Sequence, residues 1–226
     1  MGQIAQAAQL ACTDIYEPVS ATFVKVYRVG STVCGTKLIG DVLWIALQGT
    51  DTKQGWEEDF HAMPAYHPQL GNLHSGFDSN LPALVIQLTR DIDTITPVTP
   101  DLQIVITGHS KGAGEGAILG ARLKLNRLNV TRLVLFACPN SGFQRLADWI
   151  AENIPGSISF RNAPAGLSEC GDPVPLVPLF PFVPPVPHTG IDNAPTGFER
   201  VLSVEWHQSA LYLDGAIAWE SAQARH

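Results

Sequence analysis

Charge is scarce in these 226 residues. Only 15% are Asp, Glu, Lys or Arg, against about 25% in an ordinary soluble domain, while 45% are apolar. That much apolar material to bury excludes intrinsic disorder. A basic excess is missing too: 14 Lys and Arg stand against 21 Asp and Glu, a net charge of −7. Nucleic acid, whose phosphates need a basic face, is therefore not expected as a partner. Long hydrophobic runs are also absent. The longest clean ones, residues 42–47 and 133–138, have the length of a strand and fall far short of the ~18 residues that span a bilayer. The opening MGQIAQAAQL has neither the basic start nor the apolar stretch of a secretory signal. Gln6 also stands where a myristoylation motif needs Ser or Thr. A cytoplasmic location, or release by a route without a signal, is expected. The cysteines are few, Cys12, Cys34, Cys138 and Cys170, and none has the CxxC or Cys/His spacing of a zinc site or redox pair. Free buried thiols are expected, with no metal and no cofactor. At this length a single domain spanning residues 1–226 is expected, able to bury roughly 70% of the surface that its unfolded form exposes.

Short apolar runs alternate with amphipathic ones along the chain. Strands are predicted over residues 24–29, 41–47, 102–107, 131–137, 157–161 and 200–205, and helices over 77–93, 110–126, 142–153 and 208–224. Strands separated by helical lengths predict an α/β fold whose mostly parallel central sheet is covered by helices on both faces. The first two strands are expected to pair antiparallel at one edge, around a turn at Gly30 and Ser31. One segment is compositionally biased: residues 171–188 hold seven of the 17 prolines, which excludes helix there. Within its 173–187 loop, bulky apolar residues alternate with proline over 176–186. That pattern fits an acyl-binding wall or a flap touching a lipid surface, and equally an extended loop packed on the domain.

The sharpest local feature is the run IVITGHSKG, from Ile104 to Gly112. An apolar strand enters G-x-S-x-G and leaves as a Gly/Ala-rich helix. With 20 Gly and 12 Ser in the chain, chance supplies about 0.09 such matches, so the flanking context carries the weight. In a nucleophile elbow the serine hydroxyl is thrust out at the carboxyl edge of the sheet, and only glycine fits two positions before and after it. A Gly-rich helix that merely packs closely on the sheet is the competing reading. Ser110 as nucleophile needs a histidine base, and the histidine needs a carboxylate that fixes its tautomer. In this fold both follow the serine, carboxylate first. His61, His67, His74 and His109 precede Ser110, and His226 is the terminal residue. His207 is preferred because it lies between strand 200–205 and the closing helix; His188 is the alternative. Asp172, in a Pro-stiffened loop after strand 157–161, is the preferred carboxylate. Asp192 is its alternative, and Asp148 reads as a solvated helix residue. The oxyanion donors are expected to be the backbone N–H of Lys111 and that of Thr50, in the loop ending strand 41–47. Arg122, Lys124, Arg127 and Arg132 are expected to cap the elbow helix and stay solvated.

These pieces, in this order, resemble the class 3 lipase family, the fungal-lipase-like α/β-hydrolases that include triacylglycerol lipases and feruloyl esterases. Its oxyanion strand resembles residues 44–50, its Trp-to-Asp segment residues 56–60, and its V-H-x-G-F stretch Leu73-His74-Ser75-Gly76-Phe77. The GHSLGG elbow resembles residues 108–113, the F-G-x-P strand end residues 136–139, the D-x-V-P loop residues 172–178, and the late histidine His207. The resemblance implies an α/β-hydrolase fold and a serine carboxylic-ester hydrolase acting on a lipid or small acyl ester through an acyl-enzyme. It carries over Ser110, Asp172 and His207 as the triad, with Thr50 and Lys111 as oxyanion donors, and transient contact with a lipid surface. An acyltransferase or thioesterase on the same site, and a non-catalytic binding protein, are the competing functions. Four departures stand out. Gln48 replaces the usual Arg, and Lys111 puts a charge after the nucleophile that would favour polar or anionic substrates. Glu115 falls at i,i+4 from Lys111, an exposed pair worth about 0.2–0.5 kcal/mol. Residues 51–54 are too short and polar for a long apolar lid, which favours partly soluble esters.

Overall fold

The computed structural model of the chain describes residues 2–17, 22–50, 63–95, 102–164, 170–195, 197 and 201–225. Residues 51–62, and with them the expected Trp-to-Asp segment and the polar stretch 51–54 read as too short for a long apolar lid, lie outside the described residues. Helix α1 (Gln3–Cys12) opens the chain, followed by strands β1 (Lys25–Val29), β2 (Thr32–Ile39) and β3 (Val42–Leu47), then a small hairpin of β4 (Pro64–His67) and β5 (Gly71–His74). Helices α2 (Ser75–Asp78) and α3 (Leu81–Ile95) precede β6 (Gln103–His109), α4 (Lys111–Leu125), β7 (Val130–Phe136), α5 (Gln144–Asn153), β8 (Ile158–Asn162), β9 (His188–Ile191) and α6 (Ser209–Gln223).

The central sheet runs β1-β2-β3-β6-β7-β8-β9. Its first three strands are antiparallel neighbours, and every pairing from β3 to β9 is parallel. Both faces are buried, so the strands read as continuous apolar runs with the two sides told apart only by alternation. Leu43, Ile45, Leu47, Ile104, Ile106, Leu133 and Leu135 face a core shared with Leu84, Leu88 and Ile92 of α3 and Ala117 of α4. Trp44, Ala46, Val105, Val134 and Phe136 face the opposite core, against Ala7, Ala8 and Ala11 of α1 and Ala216 of α6. The small residues let α1 lie close on the sheet, and Glu220 of α6 accepts the otherwise orphaned N–H groups of Ile4 (2.9 Å) and Ala5 (3.1 Å).

The antiparallel edge expected between strands 24–29 and 41–47 is made through an intervening, unpredicted strand, β2, which pairs with both, and two predicted elements differ. Helix 77–93 is two helices, broken where Asn80 donates from its side chain to Thr32 (3.3 Å) in the β1–β2 hairpin. Within the stretch 200–205 the described residues 201–205 form no strand: residues 201–203 bridge to Gly171 and lead into a 3₁₀ turn, Val204–His207. Its apolar side chains Val201, Leu202 and Val204 stay about half exposed, and β9 occupies the sheet edge beside β8, so their alternation has no face to fill. Of the cysteines, Cys12, Cys34 and Cys138 are free and buried, and Cys170 is free and half-buried. No helix among the described residues is long and apolar enough to cross a membrane.

Candidate active site

β6 turns into α4 through one residue. Ser110 has φ 58° and ψ −129°, a left-handed conformation that costs a residue with a Cβ about 1–3 kcal/mol. The turn is held from both sides. The Ser110 N–H donates to the Phe136 carbonyl (3.0 Å), and the Ser110 carbonyl accepts from Ala113 (2.9 Å) and Gly114 (3.2 Å). A Cβ on Gly108 would lie 2.3 Å from the Gly112 carbonyl oxygen, and one on Gly112 would lie 2.4 Å from that of Leu47. Both flanking glycines are thus demanded by backbone contact.

The structure brings Ser110, His207 and Asp172 into one hydrogen-bonded chain. His207 Nδ1 is 2.7 Å from Asp172 Oδ2, and its Nε2 is 2.8 Å from Ser110 Oγ. A carboxylate only accepts, so Nδ1 carries the proton and Nε2 is left to accept from the serine hydroxyl. All three residues are buried. Asp172 Oδ1 accepts from the Val174 N–H (2.9 Å), and Oδ2 accepts a second time from the Tyr212 hydroxyl (2.6 Å). Tyr212 in turn accepts from the Asn162 N–H (2.9 Å). Burial, and then the Asp172 charge, push the Tyr212 phenol well above its usual range, so it remains a donor. Asn162, the last residue of β8, ties both loops: its carbonyl accepts from the Asp172 N–H (2.8 Å), and its amide donates to the carbonyls of Trp206 (3.2 Å) and Asn193 (3.0 Å).

Ser110 and His207 open on a cleft of about 390 Å³ that Thr50, Tyr16, Glu17 and Ser209 also line. The Tyr16 hydroxyl accepts from the Gly49 N–H (3.0 Å), so the N-terminal segment braces the loop that bears Thr50. His109, behind the nucleophile, donates from Nε2 to the His207 carbonyl (3.0 Å). Burial first, and His207 second, hold its imidazole well below the ordinary histidine range.

A family model described as Lipase (class 3) matches residues 44–182, more than half of the chain. The chain belongs to the class 3 lipase family. The Saccharomyces cerevisiae protein named "Putative lipase LIH1" is 25% identical, over 62% of this chain and 51% of its own length. The chain therefore spans about half the length of that curated relative. A mono- and diacylglycerol lipase from Aspergillus oryzae superposes with a TM-score of 0.67 at 18% identity, covering 95% of each chain. A triacylglycerol lipase whose catalytic centre is a serine protease triad superposes with a TM-score of 0.64 at 15% identity, over 91% of this chain and 86% of its own. Likeness at this identity establishes the α/β-hydrolase fold.

Within the class 3 lipase framework the charged departures take a different place from the one expected. Lys111 and Glu115 do approach each other (3.7 Å), but the pair is buried. The Lys111 ammonium bonds Ser31 Oγ (2.9 Å), and Glu115 accepts from the Thr32 hydroxyl (2.7 Å). The positive charge after the nucleophile is thus committed to the β1–β2 turn. Nor is the basic cluster fully solvated: Arg122 grips Asp78 through two bonds (2.8 and 2.7 Å), and Lys124 and Arg132 donate to the carbonyls of Val130 and Gly156. Val130 opens β7 and Gly156 lies in the turn before β8, so neither acceptor belongs to the elbow helix; at the end of that helix the Arg122 carbonyl accepts from the Asn126 side chain (2.8 Å). His188 lies on β9, bonded to Ser159 and the Pro175 carbonyl, and Asp192 and Asp148 are exposed. Tyr212, Asn162, Tyr16 and His109 carry much of the site's support, and the sequence reading assigned them no role. Tyr212 alone had a local signal, a hydroxyl early in the helix after His207.

Proposed function

We propose that the chain is a cofactor-free serine ester hydrolase with Ser110 as nucleophile, His207 as general base and acid, and Asp172 as the group that orients His207. The observation that carries this reading is the unbroken Ser110–His207–Asp172 hydrogen-bond chain at the mouth of the cleft. The similar lipase with a serine protease triad supports it. Ser110 Oγ attacks the ester carbonyl while Nε2 of His207 takes its proton; Asp172 stabilises the imidazolium that results. The tetrahedral oxyanion is held by the N–H groups of Thr50 and Lys111, each worth about 10²–10³ in turnover. Collapse breaks the ester C–O bond, and His207 protonates the departing alcohol. Water, deprotonated by His207, then releases the acid from Ser110 and restores the enzyme.

The substrate is an acyl ester of lipid type, met by transient contact with a lipid surface through the exposed tip of the Pro-rich loop. The experiment is labelling with a fluorophosphonate probe beside Ser110→Ala, followed by p-nitrophenyl esters from two to sixteen carbons. Labelling and hydrolysis are expected in the wild type and absent from Ser110→Ala; equal labelling of the two proteins overturns the assignment. Labelling without hydrolysis would point instead to acyl transfer or binding.

A further inference from the structure

β8 ends in two adjacent residues that point to opposite faces of the sheet, as successive strand residues must. Asn162 reaches the loop carrying His207; Arg161 reaches the loop carrying Asp172. The Arg161 guanidinium is buried. It donates from Nε to the main-chain carbonyl of Asp172 (3.0 Å) and from Nη2 to that of Cys170 (2.8 Å). Two bonds from one planar fork fix the peptide planes on either side of Gly171, whose own φ is 92°. A buried cation is costly unless it meets hydrogen-bond acceptors and opposite charge. Arg161 has both, because the Asp172 carboxylate lies within its electrostatic reach.

We propose that Arg161 is a positioning residue that fixes the aspartate loop and, with it, the direction of the Asp172 carboxylate toward His207. This rests on the reading of Ser110, His207 and Asp172 as a triad. Arg161 holds the Asp172 main chain while the Val174 N–H and the Tyr212 hydroxyl hold its two carboxylate oxygens, so the side chain keeps one pose toward His207 Nδ1.

The experiment compares Arg161→Gln and Arg161→Lys with the wild type, each checked by thermal melting. Arg161→Gln keeps a donor and loses the charge; Arg161→Lys keeps the charge and loses the two-pronged grip. For Arg161→Gln kcat on a soluble p-nitrophenyl ester is expected to fall about ten- to a hundredfold while KM changes less than about twofold, because the aspartate that orients His207 is no longer held; Arg161→Lys, with a single prong, is expected to show part of that loss. The downfield NMR signal of the His207 Nδ1 proton is expected to move or weaken when Ser110→Ala/Arg161→Gln is compared with Ser110→Ala, a readout that needs no turnover. A wild-type kcat in Arg161→Gln, or an unchanged Nδ1 signal, overturns the proposal. A wild type that hydrolyses no ester overturns the triad reading and leaves the Nδ1 signal to decide the role of Arg161.

Discussion

His109 shows how a single side chain near the nucleophile links catalysis to stability. Its imidazole is buried, donates to the His207 carbonyl 98 residues away, and lies 4.7 Å from the His207 ring. Folding holds it neutral well below the value near 6.5 that it has in the unfolded chain. The unfolded chain therefore binds a proton that the folded chain refuses. Stability is complete above about pH 6.5 and falls as the pH drops below it, by up to about 1.4 kcal/mol per pH unit for one such group. His188 and His67, also held low chiefly by burial, add to the slope in the same direction. His109→Gln leaves a donor near the position of Nε2 and removes the titration. Urea unfolding at pH 7.5, 6.5 and 5.5 is expected to give a shallower loss for this variant; parallel slopes would exclude His109 as a source. None of this was legible in the sequence. G-x-S-x-G marks His109 as a neighbour of the nucleophile, whereas its role depends on a carbonyl supplied by a distant 3₁₀ turn.

At the scale of elements, legibility follows the range of the interactions. Strands β1, β3, β6, β7 and β8 and helices α4, α5 and α6 were visible in the sequence because apolar periodicity is a local pattern. Helix α1 was not, since its Ala and Gln residues offer little apolar contrast; it is defined by its docking on the sheet and by Glu220. Strand β9, four residues long and starting where the Pro-rich segment ends, offered too short a pattern to read, and 200–205 imitated a strand with side chains that the fold leaves half exposed. The tie between the elbow helix and the β1–β2 hairpin is likewise a tertiary fact. Lys111 and Glu115 read as a surface pair, yet Glu115 is fully buried and holds Thr32 while Lys111 holds Ser31. Removing the ammonium alone strands a buried carboxylate. Lys111→Met is expected to cost about 3–5 kcal/mol. Lys111→Met/Glu115→Gln keeps an acceptor for the Thr32 hydroxyl without the charge and is expected to recover most of that loss. Chemical denaturation of the two variants measures the difference, and additive costs would show that the two groups do not act as a pair.

At the scale of the whole molecule, parallel pairing from β3 to β8 sends the carboxyl ends of these strands to one edge, where an α/β sheet places its ligand site. Ser110 follows β6, Asn140 follows β7 and the Asp172 loop follows β8. Asn140 fastens the Pro-rich loop to that edge: its N–H and side-chain amide donate to the carbonyls of Val177 and Pro178, both at 2.8 Å. The Val183 N–H bonds the Gly142 carbonyl (2.8 Å), and Phe182 packs edge-on against Phe143. With both feet anchored, the tip leaves Leu179 74% and Phe180 89% exposed, and no charged residue occurs from 173 to 187. Such a tip, on the edge that bears the cleft, suits the surface of a lipid aggregate, and the net charge of −7 favours a zwitterionic or neutral surface over an anionic one. Each of the two side chains gains up to about 1.5–3 kcal/mol on leaving water, so losing both weakens adsorption by tenfold or more at about 1.4 kcal/mol per decade. Leu179→Ser/Phe180→Ser is expected to co-sediment poorly with phosphatidylcholine vesicles and to lose turnover on emulsified long-chain esters. Its turnover of a soluble short-chain p-nitrophenyl ester is expected to match the wild type, because neither residue touches Ser110, His207 or Asp172. Equal vesicle binding by the two proteins would move the lipid contact elsewhere on the molecule. Loss of the soluble activity as well would mean that the tip supports the Asp172 loop from which it springs.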